Sequence, residues 1–175
     1  ELDKKVIAYI TNYLENGNDG DDIDFQESVQ NADTSKCLID TSEDKPEYID
    51  GNNSKAVKKN SRISKQVLVE ANYICAGDDS HTTFLTNKGV PYMEGHHLIP
   101  CTYSNANYFW NTRKRNIDCV ENVVCLCPTC HRKIHFGSPE EKKTLIERLY
   151  MKQISKLSEA NLAISLRELY ELYGL

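Results

Sequence analysis

The chain has 175 residues, 39% of them hydrophobic and 27% charged, with a formal net charge of −5. That length allows one domain with attachments, and no apolar run approaches the roughly 20 residues of a membrane span. Seven cysteines, an odd number gathered among histidines, argue against a secreted disulfide scaffold and point to metal ligands in a reducing cytoplasm.

No secretory signal opens the sequence, which starts at Glu1 rather than Met, as expected of a processed start or a missing upstream region. The charge is unevenly spread. Residues 1–60 hold fourteen acids and seven bases, a balance of −7, whereas residues 61–175 hold twelve acids and fourteen bases, a balance of +2. A nucleic-acid partner is therefore expected on the second part.

Leu2, Val6, Ile10 and Tyr13-Leu14 recur at helical spacing ahead of Gly17, which predicts a short packing helix over 2–15. From Asn16 to Asn60 the chain is acidic and rich in Asp, Asn and Ser, and reads as a linker or irregular surface segment. Apolar islands at Cys37-Leu38-Ile39 and Tyr48-Ile49 interrupt it. The run Asp19 to Asp24 lacks the spacing and closing Glu of a calcium loop and reads as a solvated acidic turn. Ser61 to Tyr73 predicts a second helix, with Ile63, Val67, Leu68 and Ala71 on one side. It leads to Cys75 and His81, and then to a hairpin over Thr82–Met93 that turns at Asn87-Lys88-Gly89.

A strand carrying His96 and His97 follows, and after Pro100 a long loop is expected as far as Cys119. Its Tyr103, Tyr108, Phe109 and Trp110 read mostly as core, and its basic triplet Arg113-Lys114-Arg115 as a phosphate contact. Val123 to Leu126 predicts a buried strand and 128–137 a helix closed by Gly137. Ser138-Pro139-Glu140-Glu141 has the form of a capping box opening a helix with Leu145, Ile146, Leu149 and Tyr150 inward. A last helix is expected from about Ser158, striped by Leu162, Leu166, Leu169, Tyr170 and Tyr173. These two helices read as scaffold for a small metal module, or as a homodimer face.

The chemistry concentrates between Glu94 and His135. His131 and His135, four apart, share one helix face and make a grip for a divalent ion. His96 and His97 are adjacent on a strand, so their side chains leave on opposite faces and have different jobs. Cys127 and Cys130 form a Cys-x-x-Cys half-site for structural zinc.

EGHHLIP together with NVVCLCPTCHRKIH resembles the HNH nuclease family, the ββα-metal fold of colicin-type DNases and many restriction enzymes. In wording it is similar to HNH domains of methylcytosine-restriction type. The resemblance covers roughly residues 61–137. It departs from the family where Asp78 stands in place of a second Cys of the first zinc half-site. Resemblance of this stretch to the HNH nuclease family and its zinc knuckle implies Cys75 and His81 as the other half, with Cys101, Cys119 and Cys125 as alternative fourth ligands; Cys125 also reads as a small buried hydrophobe.

The resemblance implies an α+β fold: a ββα-metal core with a zinc knuckle, flanked by helices. It implies a nuclease domain over 61–137, while charge and helical patterning set off an acidic helix and linker-like segment over 1–60 and a helical pair over 138–175. It implies His97 as general base, Asn122 as the residue that stiffens the site, and His96, His131 and His135 as holders of a catalytic Mg, Mn, Ni or Zn ion. Arg132, beside the metal ligands, joins the triplet as a candidate phosphate contact. The implied activity is DNA phosphodiester hydrolysis of restriction or defence type, with no membrane partner. A non-cleaving DNA-binding module and an RNA-cutting nuclease are the alternatives.

Overall fold

The computed structural model describes residues 19–34, 41–50 and 55–175. The helix expected over 2–15 and the Cys37 to Ile39 island lie outside these residues. In chain order the elements are helix α1 (Asp19–Asn31), strands β1 (Tyr48–Asp50) and β2 (Lys55–Val57), helix α2 (Ser61–Glu70) and strand β3 (Glu94–His97). Helix α3 (Tyr103–Arg113), a 3₁₀ turn (Val120–Asn122), strand β4 (Val123–Leu126), and helices α4 (Pro128–Phe136), α5 (Pro139–Glu159) and α6 (Leu166–Leu172) follow.

β3 and β4 pair antiparallel, with His96 opposite Val124 and His97 opposite Val123. All eight of their residues are buried, which explains why β4 reads as an unbroken apolar run instead of alternating. α4 follows β4 after one residue: Cys127 caps it by accepting from the Cys130 amide, and Pro128 occupies its first turn. Two strands and a helix thus make the ββα unit, in an α+β fold. Leu98, Leu126, Ile134, Ile146, Leu149, Leu157, Leu162 and Leu169 are buried in the core around it.

Four expectations change. The acidic turn at Asp19–Asp24 is the start of α1, so the part of the expected linker or irregular segment over 19–31 is helical. Gln26 is buried against β3, donating through Nε2 to Gly95 O at 3.1 Å and accepting at Oε1 from Gly95 N at 3.2 Å. Polar composition hid this because one buried amide satisfies two backbone groups without any apolar stripe. Gly95 itself is forced by crowding, since a Cβ there would sit 2.6 Å from Ser64 Cβ on α2.

The loop expected over 100–119 contains α3, capped by the Thr102 side chain and ended by Lys114 in the left-handed region. Of its aromatic side chains, Phe109 is buried whereas Tyr108 is exposed. With Ala106 and Phe109 as its buried residues, the helix has too narrow an inner face to be read from periodicity. The final helix begins after Ser165, whose side chain and that of Glu168 form a reciprocal capping box, while Ser158 lies inside the 21-residue α5.

The hairpin over 82–93 turns where expected, with Gly89 at φ +74°, but its pairing shrinks to a bridge between Leu85 and Pro91. Proline has no N–H to extend a ladder.

Gln26→Ala removes both partners of Gly95 at once. It is expected to lower unfolding free energy by about 1–3 kcal/mol, the cost of orphaning buried backbone groups. Denaturant melts of the two proteins measure the difference.

Candidate metal and catalytic centre

Among the described residues, two clusters of side chains that could ligate metal form, and both draw on the stretch of α4 and its cap. Cys75, His81, Cys127 and Cys130 bring their ligand atoms within 4.8 Å of one another. Cys127 and Cys130 come from the start of α4, while Cys75 follows the end of α2 and His81 a short turn beyond it. The Cys127 amide points at Cys75 Sγ at 3.3 Å, and His81 Nδ1 lies 3.3 Å from Cys130 Sγ and 3.5 Å from Cys127 Sγ. A hydrogen bond from Cys130 is the main cause holding the Cys75 thiol low, at about 4, and the same bond pushes Cys130 up.

Three sulfurs and one imidazole make a closed tetrahedral donor set, which fits structural zinc. Cys101, Cys119 and Cys125 stand outside this cluster. Burial is the main cause raising all three thiols, Cys125 to about 12.

The second cluster is His96, His131 and His135, again with ligand atoms within 4.8 Å. His135 Nε2 is 3.3 Å from His131 Nε2. Burial, and then the neighbouring His131 and His135, hold His96 well below the usual imidazole range, so it is neutral, the form that binds metals. Three imidazole ligands would leave coordination positions open, which fits a catalytic ion and not a closed structural one.

Each of two ligands in this set has an outer partner. His131 Nδ1 lies 2.6 Å from Glu94 Oε2, and both side chains are buried. If that nitrogen donates to the carboxylate, Nε2 keeps its lone pair for an ion. His96 Nε2 lies 3.0 Å from the hydroxyl of Tyr173, next to the end of α6. Burial raises the Tyr173 hydroxyl above its ordinary range and so keeps it protonated.

His97 points away from this cluster, as strand alternation requires. Its Nε2 is 2.7 Å from Asp118 Oδ1 in a buried pair. Asp118 is fixed in turn: its Oδ2 accepts from Asn60 N at 2.7 Å, and its own amide donates to Asn116 Oδ1 at 3.0 Å. Asn122, fully buried, accepts at Oδ1 from Ile99 N at 2.7 Å. Its Nδ2 donates to Ile99 O at 2.9 Å and to Ile117 O at 2.8 Å.

Sequence reasoning missed Glu94, Asp118 and Tyr173. For Glu94 a signal existed, an acid two residues before His96 on the same strand face. For the other two no local pattern does.

The four basic residues make different contacts. Arg113 Nη1 donates to Ala163 O at 2.5 Å with its guanidinium 5.0 Å from the Phe109 ring. Lys114 sits over Trp110 at 5.7 Å, and Arg115 is paired with Glu43 at 2.6 Å. Arg132 is on α4, over the exposed Phe136 ring at 5.9 Å, beside His131. Among the described residues no helix is long and apolar enough to cross a membrane.

Residues 68–137 match the model of the family described as HNH endonuclease. A stretch of 97 residues is 32% identical to the Type IV methyl-directed restriction enzyme EcoKMcrA of Escherichia coli (strain K12). That stretch is 55% of this chain and 30% of that enzyme, so the chain spans less than a third of the length of this curated relative.

The division into a closed and an open cluster has a direct test. Cys130→Ser is expected to lower the melting temperature sharply and release zinc, because structural zinc binding is folding energy, about 10–16 kcal/mol in small zinc peptides. His135→Ala is expected to keep the zinc and most of the stability. Elemental analysis and thermal melts of both variants check this, and equal losses would refute the division.

Proposed function

We propose, from the match of residues 68–137 to the HNH endonuclease family model, that this protein is a metal-dependent endonuclease of restriction or defence type, hydrolysing DNA phosphodiester bonds in the cytoplasm. The observation that carries the proposal is the split of the adjacent histidines. His96 joins His131 and His135 in an open donor set, while His97 pairs with a buried carboxylate. A second structural metal site would have no use for that split.

His97 is the general base. With its Nε2–H donated to Asp118, the Nδ1 lone pair is the atom left to take a proton from the attacking water. Asp118 holds the ring in one tautomer and stabilises the imidazolium as it forms, in a site where both groups are shielded from solvent. Asn122 sets the distance between them by tying the residues after His97 to those before Asp118.

His96, His131 and His135 would hold the divalent ion. When bound, such an ion supplies Lewis-acid stabilisation of the scissile phosphate and the leaving oxygen. An all-imidazole set ranks Ni and Zn above Mg and Mn, which prefer oxygen ligands. Cys75, His81, Cys127 and Cys130 would hold the structural zinc.

The nuclease unit is 61–137, supported by the helices of 138–175, with the acidic flank of 1–60 adding packing from α1. Arg132, next to the ligands, is the phosphate contact among the four basic candidates. Arg113 and Arg115 serve internal anchoring, which their partners support.

His97→Ala is expected to cut the cleavage rate by about 10²–10⁴-fold, the usual worth of a general base, while zinc content and melting temperature stay near wild type. Asp118→Asn is expected to lose most of the same rate through the wrong tautomer. Plasmid nicking with methylated and unmethylated DNA across Mg, Mn, Ni and Zn measures both. DNA binding without cutting under every ion, or cutting of RNA alone, would refute the assignment.

Arg132→Ala is expected to reduce the salt slope of DNA binding by about one unit, one phosphate contact. Arg115→Ala should leave the slope unchanged and lower stability instead. Binding titrations at several salt concentrations distinguish the two.

A further inference from the structure

Tyr173 lies 36 residues beyond the segment that matches the family, yet its hydroxyl reaches the centre of the site. It is next to the C-terminus of α6, and its side chain is buried. The hydroxyl is 2.8 Å from Leu98 O and 3.4 Å from His97 O, besides its 3.0 Å contact with His96 Nε2.

A phenol has one proton to give. Leu98 is fully buried, and a buried carbonyl needs a donor. The hydroxyl proton therefore goes to Leu98 O, and the phenol oxygen faces His96 as an acceptor. His96 Nε2 must then carry the hydrogen, so its lone pair sits on Nδ1. The ring centroids of His131 and His135 are 5.0 and 5.5 Å from that of His96.

We propose that Tyr173 is a positioning residue that locks His96 in the Nε2–H tautomer and so presents Nδ1 as its metal-binding atom. The inference rests on the reading that His96, His131 and His135 hold the divalent ion. Glu94, from within β3, would hold His131 in the opposite, Nδ1–H tautomer and leave Nε2 for the ion. Tyr173 differs in origin, because it couples the open metal site to the last helix of the chain. Docking of α6 thereby becomes a condition for a complete donor set, and a local opening of that helix would weaken ion binding before any ligand is lost.

The test compares wild type with Tyr173→Phe, using Tyr170→Phe on α6 as control, since that hydroxyl meets Lys143 O at 3.5 Å and Glu147, both on α5. All three proteins carry zinc in the cysteine cluster and are titrated with Ni²⁺ by calorimetry. Tyr173→Phe is expected to bind Ni²⁺ about 10–100-fold more weakly, the usual effect of losing an outer partner of a metal ligand. Tyr170→Phe is expected to match wild type.

Long-range ¹H–¹⁵N correlation spectra of the Ni-free proteins supply a readout that packing alone would not move. His96 should show the Nε2–H pattern in wild type and a mixture of tautomers in Tyr173→Phe. Unchanged affinity together with an unchanged tautomer would overturn the proposal, and so would an Nδ1–H tautomer in wild type. Wild-type protein that takes up no Ni²⁺ at the three histidines, judged against His131→Ala, would overturn the parent reading and this one with it.

Discussion

The side chain of Asn122 is the constraint on which the site depends. Three hydrogen bonds from one buried amide, two to Ile99 and one to Ile117, close the long excursion between β3 and β4. Its backbone carbonyl accepts from Leu98 N as well. An Asp in this position would keep the acceptor and lose both donors; an apolar side chain would leave three backbone groups without partners in the core. Because Ile117 is held, Asp118 arrives opposite His97, and because Ile99 is held, β3 ends where its two histidines are needed.

Strand geometry then does the functional sorting. In an extended chain adjacent side chains leave on opposite faces. His96 therefore meets α4, with its i and i+4 histidines, and His97 meets Asp118. No bulge is needed, and the pairing register of β3 with β4 is regular through both residues. α4 is shared as well: its first turn supplies Cys127 and Cys130, and its later turns supply His131 and His135. The closed cluster at one end thus orients the helix that presents the open cluster.

The flanks do more than cover a surface. Gln26 satisfies both backbone groups of Gly95. Thr41 donates to Asp118 O at 2.6 Å, and Asn116 N donates to Ser42 O at 2.9 Å. On the other side, α5 reaches the knuckle through Arg148 to Gly77 O at 2.6 Å and Lys152 to Ala76 O at 2.9 Å. Gln153 donates to Glu121 O and Val123 O where β4 begins. A small ββα unit buries too little apolar surface to hold such geometry alone, and these polar ties from both flanks fix its irregular segments.

The residues that gather into the two candidate metal clusters were legible in the sequence because their chemistry is local. His131 and His135 declare a helix face by their spacing, Cys127 and Cys130 declare a half-site, and His96-His97 declare a strand that must divide them. β4 and the helices around 61–70 and 139–159 were legible for the same reason, as apolar periodicity and caps act within a few residues. Only the tertiary structure decided the partners of those ligands. Asp118 meets His97 across 21 residues, Glu94 meets His131 across 37, and Tyr173 meets His96 across 77. A single buried acid, amide or phenol has no period and no composition. Its meaning comes from the one group it touches, and that contact exists only once the chain has closed its loops.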